Sequence, residues 1–266
     1  MVLLRGHTVS RNGAPKIRLS QAAVAASLIA LLAVAPGSRS DRQYAVSGSD
    51  TFTVGDRTAA RVTYAGTERL RVTPTGKTTR YDADARYTRT DDAGSSDARA
   101  SFVQELLASG AFEDRFDDDP DFLTVLNQPF AVALDAATLR DLRNLHGRVP
   151  FDTASPITGA TLHGSLRRGP TGTIGGMPAV GVRFDASGAM RGPLPDRPEV
   201  AIEGVMRMDG IAYYAQNGAL LVSLEARLTI TGTLHESKTA TPVQIVYLRT
   251  IRANAAAATT EAETSP

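Results

Sequence analysis

Along most of the chain after residue 40, apolar and polar positions alternate strictly, which is the period of a β-strand with one buried face. Val180, Val182, Phe184 and Ala186 point one way, and Gly181, Arg183 and Asp185 the other. Val200, Ile202, Gly204, Met206 and Met208 alternate in the same manner with Ala201, Glu203, Val205 and Arg207. The longest run sets Leu220, Val222, Leu224, Ala226, Leu228 and Ile230 against Leu221, Ser223, Glu225, Arg227, Thr229 and Thr231. Shorter runs of the same kind cover residues 62–64, 70–72, 81–87, 130–134, 160–166 and 243–251. Turn-forming sequences stand between or beside them: Pro74-Thr75-Gly76, Ser187-Gly188, Asp209-Gly210 and Asn217-Gly218. These residues preset the turn dihedrals or tolerate positive φ, so the pattern predicts antiparallel hairpins.

Two segments break the alternation. Residues 101–109 place Phe102, Val103, Leu106 and Leu107 on one helical stripe, with Ser101 and Gln104 at capping-box spacing and Gly110 as a stop. Leu139, Leu142 and Leu145 recur at three-residue spacing between Asp135 and Gly147, which predicts a second short helix. A sheet that is apolar on one face needs a cover. The expected fold is therefore mainly β with a minor α part: a strongly curved antiparallel sheet or partly open barrel, covered by one or two short helices. Residues 41–252 are expected to form a single domain, because the flanks of the acidic run 113–121 each hold too few strands to close a core. Residues 253–266, rich in Ala, Thr and Glu without an apolar face, read as a disordered tail.

The first 40 residues differ in kind. A basic stretch ending at Arg18 precedes fourteen uncharged, mostly apolar residues, 22–35, and then Pro36, Gly37 and Ser38. That order, basic and then apolar and then small, is a secretory signal. A cleavage box can be written as Ala33-Val34-Ala35, although Pro36 would make a poor first residue after the cut; cleavage after Ala33 or nearer Ser40 fits equally. The alternative is an uncleaved membrane anchor over residues 19–38, weakened by Ser20, Gln21, Ser27, Pro36 and Gly37. Both readings place the bulk of the chain outside the cytoplasm: in the periplasm, on the cell surface or secreted. Membrane contact is then expected only through that segment, if it stays uncleaved. No Cys follows the apolar run, so there is no thiol to carry a diacylglyceryl anchor, and the exported part holds together without disulfides.

Charge changes the picture once it is located. Arg5, Arg11, Lys16, Arg18 and Arg39 lie in a first segment that has no acid; without them the formal net charge falls from +1 to −4. A mildly acidic domain with no clustered basic surface does not neutralise phosphates, which excludes nucleic acid as a partner. With 42% hydrophobic and 21% charged residues, the composition also excludes collagen, a polytopic membrane protein and a wholly disordered chain.

Candidate chemistry is sparse. Gly76-Lys77-Thr78 resembles the end of a phosphate-binding loop, but Arg71 stands where the earlier Gly should be and a strand follows, so a hairpin turn explains it. Glu113, Asp114, Asp117, Asp118, Asp119 and Asp121 could surround Ca²⁺, yet they lack the alternating loop with a central Gly and read as a solvated acidic loop. His146, His163 and His235 do not fall at zinc spacing, there is no G-x-S-x-G, and Asp185 and Glu203 are polar-face strand residues. Gly175, Gly176, Gly181, Gly188 and Gly192 indicate bent strands and tight turns, and residues 192–196 a rigid connection. No catalytic, cofactor-binding or metal residue is assigned, and no cofactor is expected.

The expectation is an exported cell-envelope protein that is not an enzyme and binds a hydrophobic or lipid-like small molecule on its apolar sheet face. The plan resembles the half-barrel lipid carriers of bacterial envelopes at the level of fold alone. A filled core is the competing account of the same face. An envelope scaffold or protein-interaction module is the alternative function, its partner another envelope protein. A secreted hydrolase with a site assembled in space is the second alternative.

Overall fold

Two-residue turns tie neighbouring strands together, and the residues in them show why. Gly175 and Gly176 adopt φ of 55° and 82°, the left-handed pair that a type I′ hairpin demands and that side chains resist. A computed structural model describes residues 40–74, 78–107, 112–118, 146–154, 161–194, 197–216 and 221–254. Its elements are β1 (Ser40–Val54), β2 (Arg57–Pro74), β3 (Thr78–Asp91), β4 (Gly94–Leu107), β5 (Phe112–Asp118), β6 (Val149–Ala154), β7 (Thr161–Ile174), β8 (Met177–Leu194), β9 (Arg197–Ala215), β10 (Leu221–Glu236) and β11 (Thr239–Ala253).

All eleven strands belong to one antiparallel sheet in the order β5-β4-β3-β2-β1-β11-β10-β9-β8-β7-β6. Strands next to each other in sequence are next to each other in space, except β5 and β6, and the first and last strands meet in the middle, where Tyr44 stands opposite Ala253 and Val54 opposite Val243. Two meanders, β1 to β5 and β6 to β11, thus share a central seam. The outermost strands β5 and β6 do not pair with each other, so the sheet is open.

The alternation seen in the sequence becomes the two faces. Val180, Val182, Phe184, Ala186, Ile202, Met206, Met208, Leu224, Ala226, Leu228 and Ile230 are all buried, and Arg183, Glu203, Arg207, Glu225 and Arg227 between them are exposed. Val46, Val62, Leu70, Val72, Ala83, Ala85, Ala100 and Phe102 continue the buried face across the other meander.

The sheet buries this face by curling. Tyr44 on β1 donates its hydroxyl to the Leu221 carbonyl on β10 at 2.9 Å, passing over β11. The phenolate form of Tyr214 on β9 is disfavoured first by burial and then by Tyr44 and Tyr81. Tyr81 lies on β3, five strands from β9, about 24 Å away on a flat sheet. Only a strongly curved sheet brings these side chains close enough to act on one another. Glycines permit the tight coiling: Gly204 and Gly232 face each other across β9 and β10, and a Cβ on Gly204 would lie 2.6 Å from the Gly232 Cα.

Four expectations need correction. Residues 101–107 belong to β4, not to a helix. Phe102 alternates with Ala100 on the buried face, and pairing with β3 from Asp91–Gly94 to Thr78–Leu107 overrides the short helical stripe. Ser187-Gly188 and Asp209-Gly210 are not turns but interior positions of β8 and β9; both glycines face neighbouring strands at close approach. Residues 192–194, expected in a rigid connection, still belong to β8. The acidic run is not a loop over residues 113–118, which form β5 paired with β4. The leader or anchor, the second predicted helix at 139–145, the run at 130–134, Asn217-Gly218 and residues 255–266 lie outside the described residues.

Candidate ligand-binding interior

The concave face is not uniformly apolar. At the central seam, inward positions carry Asp50 on β1 and Arg249 on β11, exposed only 3% and 2%. Arg249 Nη1 donates to Asp50 Oδ1 at 2.6 Å and to the Leu248 carbonyl at 2.9 Å. Tyr64 on β2 donates its hydroxyl to Asp50 Oδ2 at 2.6 Å. The guanidinium also lies 4.8 Å from the Tyr64 ring centre and 5.8 Å from that of Tyr247. A buried charge costs several kcal/mol unless it is paired and hydrogen-bonded, and here one carboxylate, one guanidinium and two aromatic faces offset part of that cost, with Arg249 Nε left without a hydrogen bond among the described residues. Room for this comes from Gly48, opposite Arg249: a Cβ there would stand 2.9 Å from the Arg249 Cδ.

Moving along β1 from this knot, Glu68 stands opposite Tyr44 and is 1% exposed. On the same face are three buried tyrosines from different strands, Tyr44, Tyr81 and Tyr214, each 2% exposed. Burial pushes all three hydroxyls above the ordinary tyrosine range, and it does the same to Tyr247. They are therefore neutral donors at any physiological pH. The Tyr44 proton goes to Leu221. The Tyr81 hydroxyl is buried and has no hydrogen-bond partner among the described residues, an arrangement that costs roughly 1–3 kcal/mol where no partner is supplied.

The outer face is built of charge pairs. Asp41 is held below the usual carboxylate range mainly by its hydrogen bonds from Arg69, with Arg71 adding to the effect. Arg80 pairs with Asp82 at 2.9 Å, Arg99 with Asp84 at 3.0 Å and Arg252 with Glu225 at 3.4 Å. An open groove of about 660 Å³ between Thr67, Arg86, Thr88, Asp97 and Arg99 lies on this face, as does one of about 420 Å³ near Arg183, Asp209 and Arg227. Such exposed pairs add little stability individually.

The candidates read from sequence do not converge. His163 lies on β7 opposite Ser187, His235 on β10 opposite Ala240, and His146 precedes β6; all three are exposed. Asp185 accepts a hydrogen bond from Ser165 at 3.0 Å, while Glu203 stands opposite Arg191 on the outer face. Gly76 and Lys77 lie outside the described residues, and the strands flanking them are antiparallel partners out to Pro74–Thr79. Among the described residues no group of three or more potential ligands could hold a metal ion. Asp50, Glu68, Arg249 and the tyrosines escaped sequence reasoning. Charged residues count against a buried face in any alternation rule, and the only local signal was Asp50, Arg249 and Glu68 falling in phase with apolar neighbours.

No protein-family model and no curated protein matches the chain. Among solved structures it is similar to a "putative lipoprotein" from Parabacteroides distasonis ATCC 8503, at 15% identity over 77% of this chain and 94% of that one, with a TM-score of 0.20. A likeness this low carries no argument about function.

Proposed function

We propose that this chain is an exported cell-envelope protein that holds a hydrophobic or lipid-like molecule against the concave face of its sheet. The observation that carries the reading is the open edge. The apolar side chains of the sheet gather on one face, and among the described residues the end strands β5 and β6 do not pair, so the sheet is not closed into a barrel around that face. The Tyr81 hydroxyl, buried and without a partner among the described residues, supports it, because a polar atom on a ligand would satisfy that group. Export rests on the basic, apolar and small-residue order of residues 1–40.

The test is native mass spectrometry on protein recovered from the extracytoplasmic fraction of its own host. The expected spectrum contains a species heavier than the polypeptide that releases a lipid-sized molecule on activation. Polypeptide mass alone, unchanged after incubation with host lipid extract, refutes ligand carriage. Recovery only from the cytoplasm refutes export.

A further inference from the structure

We infer that the buried cluster of Asp50, Tyr64 and Arg249 is a register lock, which aligns the two meanders at the one pairing in the described sheet whose alignment no turn sets. It is independent of what the sheet carries.

Among the described strands, every adjacent pair except β1 and β11 is consecutive in sequence. In such hairpins the length and type of the turn fix the register. β1 and β11 are the first and last described strands, so no turn aligns them. Their apolar pattern does half of that work. A slip by one residue turns the buried set of a strand outward, but a slip by two keeps Val46, Tyr247 and Ile251 facing inward. A feature that does not repeat every two residues has to choose among those alignments.

The cluster is such a feature. Gly48 stands between Tyr64 on β2 and Arg249 on β11, while Asp50 stands opposite Tyr247. Arg249 reaches diagonally to Asp50 Oδ1 at 2.6 Å, and its guanidinium lies 4.8 Å from the Tyr64 ring centre, across the glycine. A Cβ at residue 48 would come within 2.9 Å of the Arg249 Cδ, so the glycine is the notch through which the arginine passes. A slip of two residues one way sets Arg249 opposite Val46 and Asp50 opposite Ile245. The two charges then stay buried but stand about 14 Å apart along the strands. A slip the other way sets Arg249 opposite Asp50 itself and Ile251 opposite Gly48. The arginine then loses its notch and the Tyr64 face, and two long side chains crowd one row. With apolar residues at these places, neither slip would strand a charge.

The chain has no cysteine, so thiols can be placed on the outer face of the seam, where Ser49, Val246, Leu248 and Thr250 alternate with the inward positions. Three full-chain proteins carry Ser49→Cys with one second cysteine each. Leu248→Cys reports the register observed, Val246→Cys the slip that parts the charges, and Thr250→Cys the opposite slip. A bifunctional thiol reagent spanning about 4.8 Å, one strand spacing, reads which pair stands face to face. With the interior unmodified, the Leu248→Cys protein should cross-link roughly tenfold faster than the other two. Adding Asp50→Leu, Tyr64→Phe and Arg249→Leu should leave the β-sheet circular dichroism in place and bring the slipped pairs to within about threefold of the observed one. Should that interior not fold, Asp50→Asn, which keeps the shape and removes the charge that holds Arg249, takes its place with the same expectation. Unchanged selectivity in the variant that folds overturns the inference. Failure of both variants to fold overturns it as well, since the cluster would then serve stability and not alignment.

Discussion

Raising the pH tests the curled interior directly, because four of its buried tyrosines hold their protons above the ordinary range. Tyr44, Tyr81, Tyr214 and Tyr247 all have their pKa raised above the ordinary value of 10, with desolvation the largest cause in each. A raised folded-state pKa means that the native state keeps its proton after the unfolded chain has lost it. The stabilisation is therefore whole below pH 10 and is lost as pH climbs beyond it. Each such group removes about 1.4 kcal/mol of stability per pH unit, so the four together remove about 5 kcal/mol per unit. Against a typical total of about 5–15 kcal/mol, unfolding should fall between about pH 11 and 13. The chain has seven tyrosines and no tryptophan, so tyrosinate absorbance near 295 nm reads them cleanly. That absorbance should rise in a steep step coincident with loss of the β-sheet circular dichroism. If all seven hydroxyls ionise smoothly around pH 10 while the circular dichroism persists, water reaches the interior and the packed, curled sheet described above is wrong.

Two further outcomes follow from burial. Leu224 is 0% exposed, so Leu224→Asp should abolish folding; Glu225, whose side chain is 55% exposed in its pair with Arg252, should tolerate Glu225→Lys within about 1 kcal/mol in urea melts. Arg249→Leu should cost about 3–5 kcal/mol by leaving Asp50 buried without its cation, and adding Asp50→Leu and Tyr64→Phe should recover most of that in the same assay.

The strands of the second meander were legible residue by residue. From Val180 to Ala186, and again from Leu224 to Ile230, each apolar position is buried, because nothing but the pleat competes for those side chains. Near Leu221 the rule fails at a register shift, and Leu221 to Leu224 are all buried. β4 was misread because Ala98 and Ala100 are too small to mark a face, which left Phe102, Val103, Leu106 and Leu107 free to fit a helical period as well. Hairpin signals inside β8 and β9 misled for a related reason: Gly188 and Gly210 serve close strand approach, a need that looks the same in sequence as a turn. The polar interior was out of reach, since Asp50 and Arg249 are 199 positions apart and become partners only through the β1–β11 seam.

That seam also dictates an order of events in folding. Each meander is made of local hairpins and can form as soon as its own strands are available, at little loop-closure cost. The joint between the two halves is the least local contact in the molecule, yet it sits at the centre of the sheet. β1 leaves the ribosome first and must wait with one edge bare until β11, the last strand made, arrives beside it. Through that interval the molecule is two half-sheets, each presenting a long unpaired edge, the most aggregation-prone form this topology has. Any factor that guards the nascent chain gains most by covering β1, and truncation before residue 239 should trap that vulnerable state permanently, whatever the integrity of the remaining ten strands.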